Sequence, residues 1–273
     1  MFDVNTYKRR TARLEFADLD LGAFADHPLD PATLRCLRYM HDIEFHTVCY
    51  LRDLLLTPAH RDPDITTFLT FWSFEEFWHG EALAAVLDAH GEPAGPPRVL
   101  SVRQQLGWKD RLGPLSHSIS SAVVGPDYVA VHMTWGAINE WCTQAGYAQL
   151  AAKADHPVLT ELLHRIMRQE GRHIDFYSSE AHRRLDASRK AQRMTRFALR
   201  HFWHPVGTGV VPLAETAFLI DHLFGGDDGL DIARRIDRRV DRLPGLAGLG
   251  LCEAARVEMC QVNRRSAAQR LSS

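Results

Sequence analysis

Apolar residues recur at helical spacing along most of this chain, and the runs break at proline, glycine and aspartate. The first run opens at Leu34, behind Asp30-Pro31, an N-cap followed by proline at the first helical position, and continues until Thr57-Pro58 stops it. A second helix is predicted from near Asp64 to Gly91, a third from Gly125-Pro126 to near Asp155, and a fourth from His156-Pro157 to about Asp186. Each spans about 26 to 30 residues, or roughly 40 to 45 Å. A mostly apolar helix follows from Val210 to Phe224 and ends at Gly225-Gly226. An amphipathic one from Asp231 to Arg242 is expected to pack outside the core or against a second subunit. Strand-like alternation is missing. The expectation is therefore an all-α chain with one domain over residues 1–273. Its core bundle spans about 30–186, with a loosely structured N-terminal arm over 1–29 that holds a short helix, and a C-terminal helical extension over 187–273.

Charged residues interrupt the apolar pattern in a way that repeats. Glu44 precedes the Glu-x-x-His pair Glu76/His79 by 32 positions, and Glu140 precedes Glu170/His173 by 30. Residues three apart share a helix face, so each pair can grip one metal ion. Four carboxylates and two imidazoles are the donor set of a di-iron or di-manganese site in a four-helix bundle. Four negative charges also balance two divalent cations, whereas a buried cluster without metal is costly. On this reading each Glu-x-x-His pair holds one ion, and Glu44 and Glu140 cap or bridge. All six residues fall near the predicted helix midpoints, at one level of an antiparallel bundle. A third Glu-x-x-His, Glu161/His164, lies nine residues before Glu170 on the same helix, about half a turn out of phase, and is assigned to the surface.

Glutamates on long helices are usually solvated. Here Glu76 and His79 lie among Phe68, Phe71, Trp72, Phe74, Phe77 and Trp78, and Glu140 beside Trp135, Ile138 and Trp141, so both segments are expected to be mostly buried. These aromatics read as core packing, with a substrate channel as the alternative. His41, one turn before Glu44, reads as an ordinary helix histidine. Phase keeps Glu75 and Glu81 from ligating beside Glu76.

Glu75-Glu76-Phe77-Trp78-His79-Gly80 resembles the E-E-x-R-H-G motif of soluble acyl-carrier-protein desaturases, and Gln169-Glu170-Gly171-Arg172-His173 resembles their D-E-x-R-H motif. The likeness covers residues 30 to 185. Trp78, Gln169 and Ile174 depart from it at positions that orient ligands. The fold it implies is a ferritin-like four-helix bundle with a dinuclear metal site and flanking helices. It further implies that Thr143, one turn after Glu140, borders the oxygen-binding side and can help deliver a proton. The implied function is a non-haem di-iron oxidase or oxygenase that activates O2 for C–H oxidation, foremost desaturation of an acyl chain carried as a thioester. The alternatives are an N-oxygenase or hydroxylase of a biosynthetic pathway, or an iron-handling protein without organic substrate. The ribonucleotide reductase small subunit shares the ligand set but places a tyrosine where this chain has Leu83. Bacterioferritin is a shorter bundle.

Composition narrows the partners. A net charge of −2 does not suggest a nucleic-acid protein, and 45% hydrophobic content suits a large core. There is no apolar run of membrane length and no secretory pattern over Met1 to Glu15, so a cytoplasmic protein is expected. Cys36, Cys49, Cys142, Cys252 and Cys260 form no Cys-x-x-Cys pair and read as reduced. The expected cofactors are two iron ions, with manganese as an alternative at either position, and the electrons would come from an external donor such as ferredoxin. A basic stretch, Arg189, Lys190, Arg193, Arg196 and Arg200, reads as a solvated helix face, with docking of an acyl carrier protein or coenzyme A phosphates as the alternative. The resemblance makes a homodimer the expected assembly. Residues 91–97 open a connection of about 30 residues that can cross the bundle end or form part of a substrate entrance.

Overall fold

Aspartate caps and prolines fix where the helices begin. The computed structural model describes residues 2–106 and 125–271. Asp3 caps α1 (Val4–Arg10), and a single turn, α2 (Ala23–Asp26), follows. Asp30 accepts from the backbone N–H groups of Ala32 and Thr33 (2.8 and 3.1 Å) to start α3 (Pro31–Glu44), which is succeeded by α4 (Thr47–Leu55). Asp62 caps α5 (Pro63–Ala89) in the same way, and its second oxygen binds Arg184 at 2.5 Å. Residues 95–106 form α6. A left-handed Asp155 (φ 44°) turns the chain between α7 (Tyr128–Ala154) and α8 (Pro157–Ala187). Four more helices complete the chain: α9 (Arg189–Phe202), α10 (Leu213–Phe224), α11 (Gly226–Asp241) and α12 (Leu251–Leu271).

The architecture is an all-α bundle, and no strand occurs among the described residues. Helix α7 packs along α8, α3 along α5, and α5 along α8, while α10, α11 and α12 pack on one another outside this layer. Apolar burial falls into two clusters. One contains Phe68, Trp72, Ile138, Phe176 and Leu185, and the other Leu37, Leu83, Leu87, Leu150 and Leu163. Glu76, Glu140 and Glu170 each sit at or within two residues of the middle of their helix, between the stretches that feed the two clusters.

Several expectations change. The first bundle helix is not continuous. At Phe45-His46 the His46 N–H bonds the Ile43 carbonyl (2.9 Å) and the Thr47 hydroxyl takes the Glu44 carbonyl (2.6 Å), so the ladder tightens to i→i+3 and Glu44 ends α3. Helix α10 starts at Leu213, not Val210, because residues 206–211 are turns. Gly207 there adopts φ +87° against Tyr39, where a Cβ would lie 2.2 Å from the phenol oxygen. Helix α11 belongs to the core, with Ile232, Ala233 and Ile236 buried. The N-terminal arm is anchored by the buried Tyr7 and Phe24. Phe74 and Phe77 are 44% and 46% exposed, since α5 turns Phe74, Phe77 and Trp78 away from the face that carries Glu76. The connection after α5 falls in part on residues 107–124, outside the described residues.

Gly136 sits under Tyr177: a Cβ there would lie 2.4 Å from the ring. Gly136→Ala is expected to destabilise the fold by about 1 to 3 kcal/mol through overpacking. Gly171, whose Cβ would meet nothing within 4 Å, is mid-helix, so Gly171→Ala should be neutral or stabilise by about 0.5 to 1 kcal/mol. Paired thermal melts check the difference in sign.

Candidate metal centre

The i, i+3 spacing on α5 and α8 sets two Glu-His pairs face to face, and α3 and α7 add one glutamate each. Glu44, Glu76, His79 and Glu170 form one group of donors, and Glu76, Glu140, Glu170 and His173 a second. Within each group the donor atoms lie within 4.8 Å of one another, and every residue is buried. Glu76 and Glu170 belong to both. Glu76 presents Oε2 to His79 Nδ1 (3.4 Å) and Oε1 to His173 Nδ1 (3.1 Å), while Glu170 presents Oε1 to His79 Nδ1 (3.4 Å) and Oε2 to His173 Nδ1 (3.1 Å). The arrangement is that of two shared carboxylates spanning two positions, with Glu44 and His79 terminal on one side and Glu140 and His173 on the other. Each group contains one Glu-x-x-His pair together with Glu44 or Glu140, and adds the glutamate of the other pair.

The donor set fits a metal pair on two counts. His79 Nδ1 and Glu170 Oε1 are buried with no hydrogen-bond partner, yet lie 3.4 Å apart. That suits two ligands of one ion, each bound at roughly 2.1 Å. The surrounding groups also set the imidazole tautomers. Gln169 donates its amide N–H to the Ala12 carbonyl (3.1 Å), so its oxygen faces His79 and accepts from Nε2 at 2.9 Å, leaving Nδ1 for the cluster. His173 Nε2 likewise donates to Glu75 Oε2 (2.8 Å), and Glu75 is held by Arg172 (2.5 Å) and the Tyr7 hydroxyl (2.8 Å). The residue before each shared glutamate therefore reaches across to the histidine of the opposite helix. Trp72 Nε1 donates to Glu140 (3.1 Å), and the Tyr147 hydroxyl donates to Glu44.

Sequence reasoning placed Glu75 off the ligand face, which it is, but did not reach its contact with His173, read Trp72 only as packing, and missed Tyr7 and Tyr147 altogether. Only the burial of Glu75 between aromatic neighbours could have signalled it. His41 stands apart from both donor groups, bonding Asp42 (3.0 Å) and the Gly95 N–H (3.0 Å). Glu161 is on the surface, paired with Arg165 at 2.8 Å. Thr143 lines the wall shared by two cavities, together with Glu44. The larger cavity, of about 910 Å³, is bounded by all four glutamates of the cluster, by Trp72, Trp135 and Tyr177, and by Arg193 and Phe197 of α9. The smaller, of about 110 Å³, has apolar walls that include Met40, Ile43, Leu219 and Ile220.

Titration behaviour follows from crowding. Burial pushes Glu44 and Glu140 well above the usual carboxylate range, and the charges of Glu76 and Glu170 add to it. Burial acts the same way on Glu76 and Glu170, but a hydrogen bond from Glu44 to Glu76 and the two histidines beside both carboxylates outweigh it and hold both low. Burial disfavours a charged His79, yet the Glu170 and Glu76 carboxylates 3.4 Å from its Nδ1 raise it to about 9. His173 is raised for the same reason, with Glu75 contributing. Without metal, the surroundings thus favour the protonated forms of Glu44, Glu140, His79 and His173.

No protein-family model matches this chain, and a search of the curated proteins finds no match.

Divalent ions binding here would compete with those protons. Anaerobic loading is expected to release protons, so affinity rises with pH, as pH-stat titration can verify. Loading without proton release would contradict this expectation. Because Glu76 and Glu170 serve both positions, Glu76→Ala or Glu170→Ala should lose both metals, whereas Glu44→Ala should mainly weaken one. Metal content per chain after gel filtration distinguishes the patterns.

Proposed function

We propose that this chain is a ferritin-like di-iron oxidase that activates O2 for oxidation of an organic substrate held in the large cavity. The observation that carries this is the pair of donor groups sharing Glu76 and Glu170 and opening onto about 910 Å³ of space. Bound ferrous ions would supply two electrons to O2, giving an oxidant able to cleave a C–H bond. Glu76 and Glu170 fix the spacing of the two positions, and Glu75 and Gln169 hold the imidazoles in the ligating tautomer. Tyr147 and Trp72 orient Glu44 and Glu140, and the apolar rings around them limit water. Thr143, on the wall shared by the two cavities, is the residue assigned to proton delivery.

Desaturation of an acyl thioester is the first form of this proposal. A saturated –CH2–CH2– unit, O2, two electrons and two protons give the alkene and two waters, with the electrons drawn from a separate donor such as a ferredoxin. Its support is the motif resemblance and the small apolar cavity that meets Glu44 and Thr143, whose walls suit a methylene chain. The exposed Arg193 and Arg200 of α9 would face an acidic acyl carrier protein. Hydroxylation or N-oxygenation of a polar substrate is the second form, favoured by Tyr50, His132 and Asn139 in the larger cavity. No helix among the described residues is long and apolar enough to cross a membrane. A cytoplasmic homodimer belongs to the same proposal.

The test is O2 uptake by the iron-loaded protein with a ferredoxin system and stearoyl or decanoyl thioesters, followed by product mass. Loss of two hydrogens identifies a desaturase, gain of an oxygen atom an oxygenase, and uptake should vanish in Glu76→Ala and Glu170→Ala. Iron oxidation that is indifferent to every organic substrate and to reductant would overturn the proposal.

A further inference from the structure

The large cavity contains hydroxyl groups that the metal cluster does not use. Tyr177 is fully buried, and its hydroxyl has no hydrogen-bond partner; the Tyr50 hydroxyl is likewise buried and unpaired. Both residues line the cavity. Both rings meet Trp72 edge-on at 6.1 Å between centroids, and Trp72 in turn donates to Glu140, so the two phenols flank that glutamate on one common support. A Cβ at Gly136 would lie 2.4 Å from the Tyr177 ring, which holds the phenol against α7. Burial pushes both phenols above their ordinary range, so each keeps its proton and acts as a donor.

Buried hydroxyls are normally satisfied, and two unpaired donors carried by residues that line one cavity point to an acceptor on whatever occupies it. We propose that Tyr50 and Tyr177 anchor the substrate, donating to a neutral carbonyl or hydroxyl oxygen on a molecule whose body is an aromatic or alicyclic ring system. Neutrality follows from the neighbours: the four glutamates lining the cavity offset the charge of the two ions they would hold, so no net positive charge is left to attract an anion. The ring system follows from Trp72 and Trp135 in the walls and from a volume too broad for one methylene chain. A bare alkyl segment lying here would leave both hydroxyls unpaired, so the anchor favours the oxygenase form of the proposed function, on which it rests.

The experiment compares 2-acetylnaphthalene with 2-ethylnaphthalene, which has a similar shape but lacks the acceptor, by calorimetric titration of the anaerobic iron-loaded protein. The ketone should bind at least about tenfold more tightly, as expected for one or more hydrogen bonds to otherwise unpaired donors. That ratio should fall to about one in Tyr50→Phe/Tyr177→Phe, which deletes only the two oxygen atoms. Tyr177→Phe alone keeps the ring over Gly136 and should give a partial loss, which guards against misfolding of the double variant. Equal affinities in the unmodified protein, a ratio unchanged by the variants, or no binding of either compound would overturn the anchor. Iron content of the same samples separates the two proposals. About two irons per chain without ketone preference overturns the anchor and leaves the oxidase, and ketone preference without bound iron does the reverse.

Discussion

Four carboxylates packed into the middle of a helical bundle are a constraint that the rest of this molecule answers. An ionised carboxylate taken out of water costs several kcal/mol unless charge and hydrogen bonds compensate it. The compensation here is layered. Two histidines lie against the shared Glu76 and Glu170, and behind the histidines lie Glu75 and Gln169. Arg172, Tyr7 and the Ala12 carbonyl complete the shell. Separate apolar clusters then take the stretches of helix on either side, so the polar layer does not interrupt a single core but divides two.

Much of this was legible in the sequence because helices write their geometry locally. The Asp30-Pro31 cap, the start near Asp64, and the Gly125-Pro126 and His156-Pro157 breaks placed four helix starts close to where they occur. The ligand repeat was legible because three-residue spacing on one helix is a contact in any fold. What escaped depends on contacts between segments far apart in the chain. Tyr7 meets Glu75 across 68 positions and Gln169 reaches Ala12 across 157, and no periodicity encodes either. The break after Glu44 escaped because Phe45, His46 and Thr47 carry no breaker signal. A threonine hydroxyl taking a carbonyl is enough to redirect the ladder. The cavity depends on α9, which reads from sequence as a charged outer helix, yet Arg193, Met194 and Phe197 close one side of it.

The departures from the desaturase motifs also have a structural account. Trp78, where the motif has arginine, is turned outward with Arg13 stacked over it at 4.9 Å, and Arg172 from the second motif supports Glu75. Gln169, where the motif has an acid, keeps its hydrogen bond to the opposite histidine but carries no charge.

That one neutral amide leaves the two halves of the cluster unequal behind their histidines. Even with Arg172 beside it, a carboxylate is a stronger acceptor than an amide, so it makes His173 the more electron-rich ligand. Metal ions bound at the two positions would therefore meet unequal donors, the stronger on the His173 side, a polarity to which Gln169 against Glu75 contributes.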